Sequence, residues 1–246
     1  MPRKLTIALV FVACLLVFLV VLMPAAVLVE RVPQLRPGGA PLTLETSRGR
    51  WWSGQVDWRW QQQQGTLGWT LDFHGLTPGV ELSLRTTAGQ DVRLAGWVGG
   101  SDAQNWQLDQ VRLSLPVELI ADRIPQGGAD GRADATVMGL AIQEGQVTDA
   151  RATVQYGGGT VTWGRSASAV VPVLQGRLSM EGETPVLEVN DPEGQRLMSA
   201  RLSEGRFQLE VLRAWPMLLG VSQGGQPDDV VFQMSQPFSL GQAGTQ

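Results

Sequence analysis

Alternation with a period of two dominates the chain from Leu42 onward. It runs through Leu42-Thr43-Leu44-Glu45-Thr46, Val56-Asp57-Trp58-Arg59-Trp60, Leu67-Gly68-Trp69-Thr70-Leu71-Asp72-Phe73 and Val80-Glu81-Leu82-Ser83-Leu84-Arg85, and it continues through Val111-Arg112-Leu113-Ser114-Leu115. Successive side chains of an extended strand point to opposite faces, so each segment gathers its apolar residues on one side. One buried face and one polar face is the habit of antiparallel sheets. Thr77-Pro78-Gly79 and Thr87-Ala88-Gly89-Gln90 read as turns between strands. Only two stretches switch to helical spacing, over 116–124 and 214–221. The first is opened by Pro116 and closed by Pro125.

Ahead of the alternating region lies a different segment. Ile7 to Val29 contains no charge, no Gly and no amide. As a helix it would be about 35 Å long, enough to cross a bilayer core of ~30 Å. Arg3 and Lys4 precede it and Glu30 follows it, so the basic end is expected in the cytoplasm and the rest of the chain across the membrane. The run exceeds the ~7–15 apolar residues of a cleaved signal, which favours an anchor that is kept. Cys14, the single Cys, sits inside the run, and the exported part has none. That suits an oxidising compartment.

Residues 30–41 carry Pro33, Pro37, Gly38, Gly39 and Pro41 and read as a linker. The body then matches itself. Gly54-Gln55-Val56-Asp57-Trp58 parallels Gly159-Thr160-Val161-Thr162-Trp163, Trp106-Gln107-Leu108-Asp109 parallels Phe207-Gln208-Leu209-Glu210, and Pro116 parallels Pro216. The matches are collinear, which predicts two similar β units, 42–126 and 127–246, each with a short helix. The expected fold class is mainly β: an N-terminal transmembrane helix (residues 1–29 with its cytoplasmic tip), then a periplasmic antiparallel β domain of two similar halves.

Composition excludes much chemistry. Lys4 is the only Lys, so neither a phosphate-binding loop with its Lys nor a Lys Schiff base in the body is available. With 1 His and 1 Cys a His/Cys zinc site is excluded. A net charge of −4 argues against nucleic acid as a partner. No metal and no cofactor is expected. His74 shares a strand face with Asp72, but no nucleophile elbow accompanies it. Gly157-Gly158-Gly159 lacks the Lys and helix of a phosphate loop and reads as a hairpin turn.

What remains is aromatic. Trp51, Trp52, Trp58, Trp60 and Trp69 crowd one short stretch. Their reading as sheet core, with Trp52 largely buried, outweighs a contact surface. With little helix to cover the strands, a concave apolar surface lined by Leu82, Leu84, Leu94, Val111 and Leu113 is expected to receive a partner.

Three features coincide: the single anchor, Gly49-Arg50-Trp51-Trp52-Ser53-Gly54-Gln55 soon after it, and Gly-x-Val-x-Trp recurring from Gly159 to Trp163. Together they resemble the type II secretion system protein N family, with Gly49, Trp52 and Gly54 in the places of a Gly-x-x-Trp-x-Gly signature and Trp51 an additional aromatic. The resemblance implies a non-enzymatic, single-pass inner-membrane accessory of the machine that exports folded proteins, with its body in the periplasm and other secretion components as partners. It gives Gly49, Trp51, Trp52, Gly54, Trp58, Gly159 and Trp163 a structural or contact role and assigns no catalytic residue. The anchored, amphipathic β body also resembles AsmA-like periplasmic proteins, in which an apolar groove handles lipid.

Overall fold

The computed structural model describes residues 21–29, 42–102, 104–121, 127–164, 167–222 and 224–238. The segments 1–20, 30–41 and 122–126 lie outside them, and with these most of the expected anchor and the whole linker. No helix among the described residues is long and apolar enough to cross a membrane.

The alternating segments form the strands they predict. They are β1 (Leu42–Arg50), β2 (Ser53–Trp60), β3 (Gln63–His74), β4 (Thr77–Ala88), β5 (Arg93–Asp102), β6 (Asn105–Pro116), β7 (Gly127–Ala129), β8 (Arg132–Gln143), β9 (Gln146–Tyr156), β10 (Gly159–Trp163), β11 (Ala167–Val171), β12 (Leu174–Glu181), β13 (Thr184–Asn190), β14 (Arg196–Ser203), β15 (Arg206–Leu212) and β16 (Val230–Pro237). Thirteen of them build one sheet in near-sequential order, with β1 and β16 at its ends, and β7, β10 and β11 form a separate three-stranded sheet. Every pairing in both sheets is antiparallel, as one-sided alternation requires.

Register makes the apolar face continuous. In an antiparallel pair, directly opposed residues share a face. Val56 faces Leu67, which faces Leu84, then Leu94, then Leu113. The row continues through Ala135, Val154, Gly176 and Val189. It ends at Met198, Val211 and Phe232. One apolar stripe thus crosses from β2 to β16, and the main sheet passes the expected 126/127 boundary through the β6–β8 pairing without a gap.

Among the described residues the helices are α1 (Ala26–Val29), α2 (Glu118–Ala121) and α3 (Ala214–Leu218), and α3 is shorter than the expected 214–221. The end of the apolar run is no continuous helix. The chain turns between Leu22 and Ala25, and Pro24 forms an isolated bridge with Arg50 before α1 begins. Pro24 has no N–H to continue a helix ladder, so the run divides there.

The two parts matched in sequence are treated differently in space. β2 is an inner strand of the main sheet, whereas β10 pairs only with β7 and β11. Gly157 and Gly158 accordingly are not a hairpin turn. They carry the chain from β9 in one sheet to β10 in the other, and the φ of +85° at Gly158 suits that change of direction. The diverted strands and α3 cover the second part of the apolar face. Val171, Leu174, Leu197 and Ala214 make a buried cluster there, with Tyr156 and Trp215 packed against it.

Candidate functional site

The Gly49–Gly54 segment folds as a tight hairpin. Arg50 opposes Ser53 and Gly49 opposes Gly54, leaving Trp51 and Trp52 as the two turn residues. Both glycines are sterically required. Gly49 has φ +95°, and a Cβ there would lie 2.6 Å from the Ser53 carbonyl oxygen. A Cβ on Gly54 would lie 2.7 Å from the Trp69 ring and 2.8 Å from the Arg48 carbonyl oxygen. The Trp69 indole N–H donates to the Trp51 carbonyl at 2.9 Å, so β3 braces the turn from beside it.

This hairpin grips the end of the apolar run. The Trp52 indole N–H donates to the Val21 carbonyl at 3.1 Å. The Trp51 N–H donates to the Met23 carbonyl, and the Ala25 N–H to the Gly49 carbonyl, each at 3.1 Å. Ala25 is only 1% exposed as a result. Trp52 itself is half-buried and carries the Arg50 guanidinium 5.6 Å from its ring centroid. Trp52 is a turn residue, and the partner of its indole is the end of the chain's own apolar run.

Trp58 and Trp60 point to the apolar face, as their spacing predicts. With Leu42, Leu44, Leu67 and Leu84 they border a hollow of about 520 Å³, closed at one side by Leu119 of α2. Trp58 lies over Gly65, where a Cβ would meet its ring at 2.7 Å. Its indole N–H is buried without a hydrogen-bond acceptor among the described residues. A second apolar hollow of about 520 Å³ lies along the same face over Leu71, Phe73, Val80, Val98 and Trp106.

Leu82, Leu84, Leu94, Val111 and Leu113 are half-buried, and all five share this face. Leu82 opposes Gly96, which packs against Val111, and Leu84–Leu94–Leu113 form one cross-strand row. The face is not the only hollowed one. The polar side of β3–β8 bears a larger cavity of about 770 Å³ bordered by Arg85, Arg93, Arg112 and Asp134. Beside it, a hydrogen bond from the Arg93 guanidinium, helped by Arg132, holds the Asp91 carboxyl below its usual range.

Gly159 and Trp163 are not brought to the hairpin. They lie in the small sheet, Trp163 opposite Gly127 and Ala167. Gly159 instead leaves room for Tyr156 and Asp130. The Tyr156 hydroxyl donates to the Asp130 carbonyl at 2.7 Å, and the Asp130 carboxylate accepts the Thr160 N–H. Burial, then the nearby Asp130 and Glu118 carboxylates, pushes the Tyr156 hydroxyl pKa up.

His74 has a packing role that sequence reading missed. Its ring stacks on Trp97 with centroids 4.1 Å apart and planes 6° apart. Its Nδ1 lies 3.2 Å from Asp109, and its Nε2 lies 3.9 Å from Asp72. Trp97 is 3% exposed although it sits on the polar face. Gly79 and Gly99 make its bed, since a Cβ on either would overlap the indole. The signal was present as Gly79-Val80 and Trp97-Val98-Gly99, but only the β4–β5 register brings Gly79 and Gly99 opposite each other. Among the described residues no group of three or more His, Cys, Asp or Glu could hold a metal ion.

The model of type II secretion system protein N matches residues 40–231, which includes the hairpin, the apolar row as far as Val211 and the small sheet. No curated protein and no solved structure matches the chain. With most of its length matched, this chain belongs to the type II secretion system protein N family.

Proposed function

We propose that this chain is a non-enzymatic, single-pass component of the type II secretion machine that works by binding through its apolar sheet face. Family membership supports an accessory role in that pathway and implies contact with other components of it. The observation that carries the binding reading is the uneven cover of the apolar row. Over β12–β14 the small sheet and α3 close it into a core, whereas over β1–β4 the residues Leu42, Leu44, Trp58, Leu67 and Leu84 border a hollow with one short helix at its side. An apolar groove of that size accommodates a protein segment that brings its own apolar side chains.

An uncleaved anchor in the bacterial inner membrane, with the body in the periplasm, belongs to the same proposal. The uncharged stretch upstream of Pro24 begins at Leu5, and as a helix it would reach about 28 Å, close to the ~30 Å of a bilayer core. Arg3 and Lys4 on its near side favour a cytoplasmic N-terminus. The division into units 42–126 and 127–246 is kept as a proposal about descent, supported by the collinear sequence matches and by a short helix after the last strand of each matched part.

The test is complementation of a deletion strain. Leu84→Asp with Leu94→Asp should abolish secretion of the pathway's substrates at normal protein abundance, and His74→Ala should leave it intact. Secretion by the double variant equal to wild type would overturn the binding reading, and loss with His74→Ala at normal abundance would overturn the non-enzymatic one. An envelope-permeability defect with secretion untouched would assign the groove to lipid instead.

A further inference from the structure

One end of the main sheet carries an apolar corner. All the hairpin turns β1–β2, β3–β4, β5–β6, β8–β9, β12–β13 and β14–β15 lie at this end, because the strands run antiparallel in near-sequential order. Four of the six bear an acid at or beside the turn: Asp102, Glu144, Glu183 and Glu204. The other two do not. The β1–β2 turn is Trp51-Trp52, and the β3–β4 turn is Gly75-Leu76 with Phe73 two residues before it. Leu76 is 99% exposed and Phe73 66% exposed.

The β3–β4 turn also projects past the β1–β2 turn at this corner. The Leu71 N–H donates to the Trp52 carbonyl at 2.7 Å, so β3 draws level with the β1–β2 turn at Leu71 and then continues to His74. At ~3.4 Å per residue the tip stands roughly 14 Å beyond that point. The β1–β2 turn is the one that holds Val21 and Met23, the end of the apolar run. With that run in a bilayer, this corner of the sheet is the one tied to it.

We propose that Phe73 and Leu76 enter the interfacial layer of the same bilayer that holds the N-terminal run. The sheet then meets the membrane at two points, the gripped end of the run and the β3–β4 tip. The reading rests on the proposed anchor. Continuity with the run names the occupant as a lipid surface, since an apolar tip beside a membrane entry point loses water contact by moving into the headgroup layer. Two contacts fix a tilt that one flexible attachment does not.

The experiment uses the full chain in nanodiscs of phosphatidylcholine and phosphatidylglycerol. In a Cys14→Ser background, Leu76→Cys and Glu183→Cys are each labelled with an environment-sensitive fluorophore. Both sites are exposed turn positions, so the labels leave the fold intact. The label at 76 should be blue-shifted, quenched several-fold more than the label at 183 by nitroxide lipids, and protected from iodide. Equal iodide quenching at both positions would overturn the contact and point to a protein partner at the tip. Alkaline carbonate extraction of cell membranes reports on the anchor separately. A chain that stays in the membrane while 76 is aqueous defeats only the tip contact, and a chain that is extracted defeats the anchor and the contact with it.

Discussion

Gly49→Ala offers a sharp test of how the signature hairpin works. The residue has φ +95°, which an L side chain adopts at a cost of roughly 1–2 kcal/mol. The new methyl would also stand 2.6 Å from the Ser53 carbonyl oxygen and 2.7 Å from the Gly54 Cα. Both are backbone atoms of the partner strand, so no rotamer change relieves the overlap, and displacing a packed element adds about 1–3 kcal/mol. The combined loss is about 2–5 kcal/mol, which for a domain of this size lowers the melting temperature by roughly 10 °C. Gly75→Ala is the matched control. Its φ is +66°, but nothing lies within 4 Å of the added Cβ, so only the backbone cost of about 1 kcal/mol and a shift of roughly 2–4 °C remain. Calorimetry or thermal circular dichroism on both variants separates the two costs. Hydrogen exchange at the Ala25 and Trp51 amides adds a local readout, because both bond across this turn. A Gly49→Ala melting point within the shift of Gly75→Ala would refute the close-approach argument. Unchanged protection at Ala25 would refute the claim that the hairpin grips the apolar run.

Two further outcomes follow from the packing. Trp97→Ala removes a buried ring seated on Gly79 and Gly99 and should cost about 3–5 kcal/mol in urea unfolding, and a loss under 1 kcal/mol would show that the His74–Trp97 stack is not structural. Tyr156 has a folded-state pKa raised above its unfolded value, so its contribution is fully present below ~10 and is lost as pH rises through the folded value. Tyr156→Phe should therefore cost about 1 kcal/mol at neutral pH, by deleting the hydroxyl bond to Asp130, and should unfold with a shallower alkaline dependence than wild type. Identical alkaline profiles for the two proteins would contradict that assignment.

Period-two alternation determined the antiparallel strands and which residues of each strand share a face, because side-chain direction in a strand depends only on parity, and register then put Leu82, Leu84, Leu94, Val111 and Leu113 on one common face. That Gly49-Arg50-Trp51-Trp52-Ser53-Gly54 is a tight hairpin emerged only from the pairing of β1 with β2, where glycine is required because backbone approaches backbone. Other features depended on which strand lies beside which. The match between Gly54–Trp58 and Gly159–Trp163 was legible, but the same local pattern serves an inner strand of the large sheet in β2 and a small covering sheet in β10. Trp52 resembled a core residue because its size suits burial, and only the placement of Val21 and Met23 across the turn makes it a clamp. Trp97, on the polar face, is buried by glycines from two strands and a histidine from a third, an arrangement that no single segment encodes. Alternation is a local property and survives in any register, whereas cover, clamp and groove arise from contacts between distant segments, which tertiary structure alone decides.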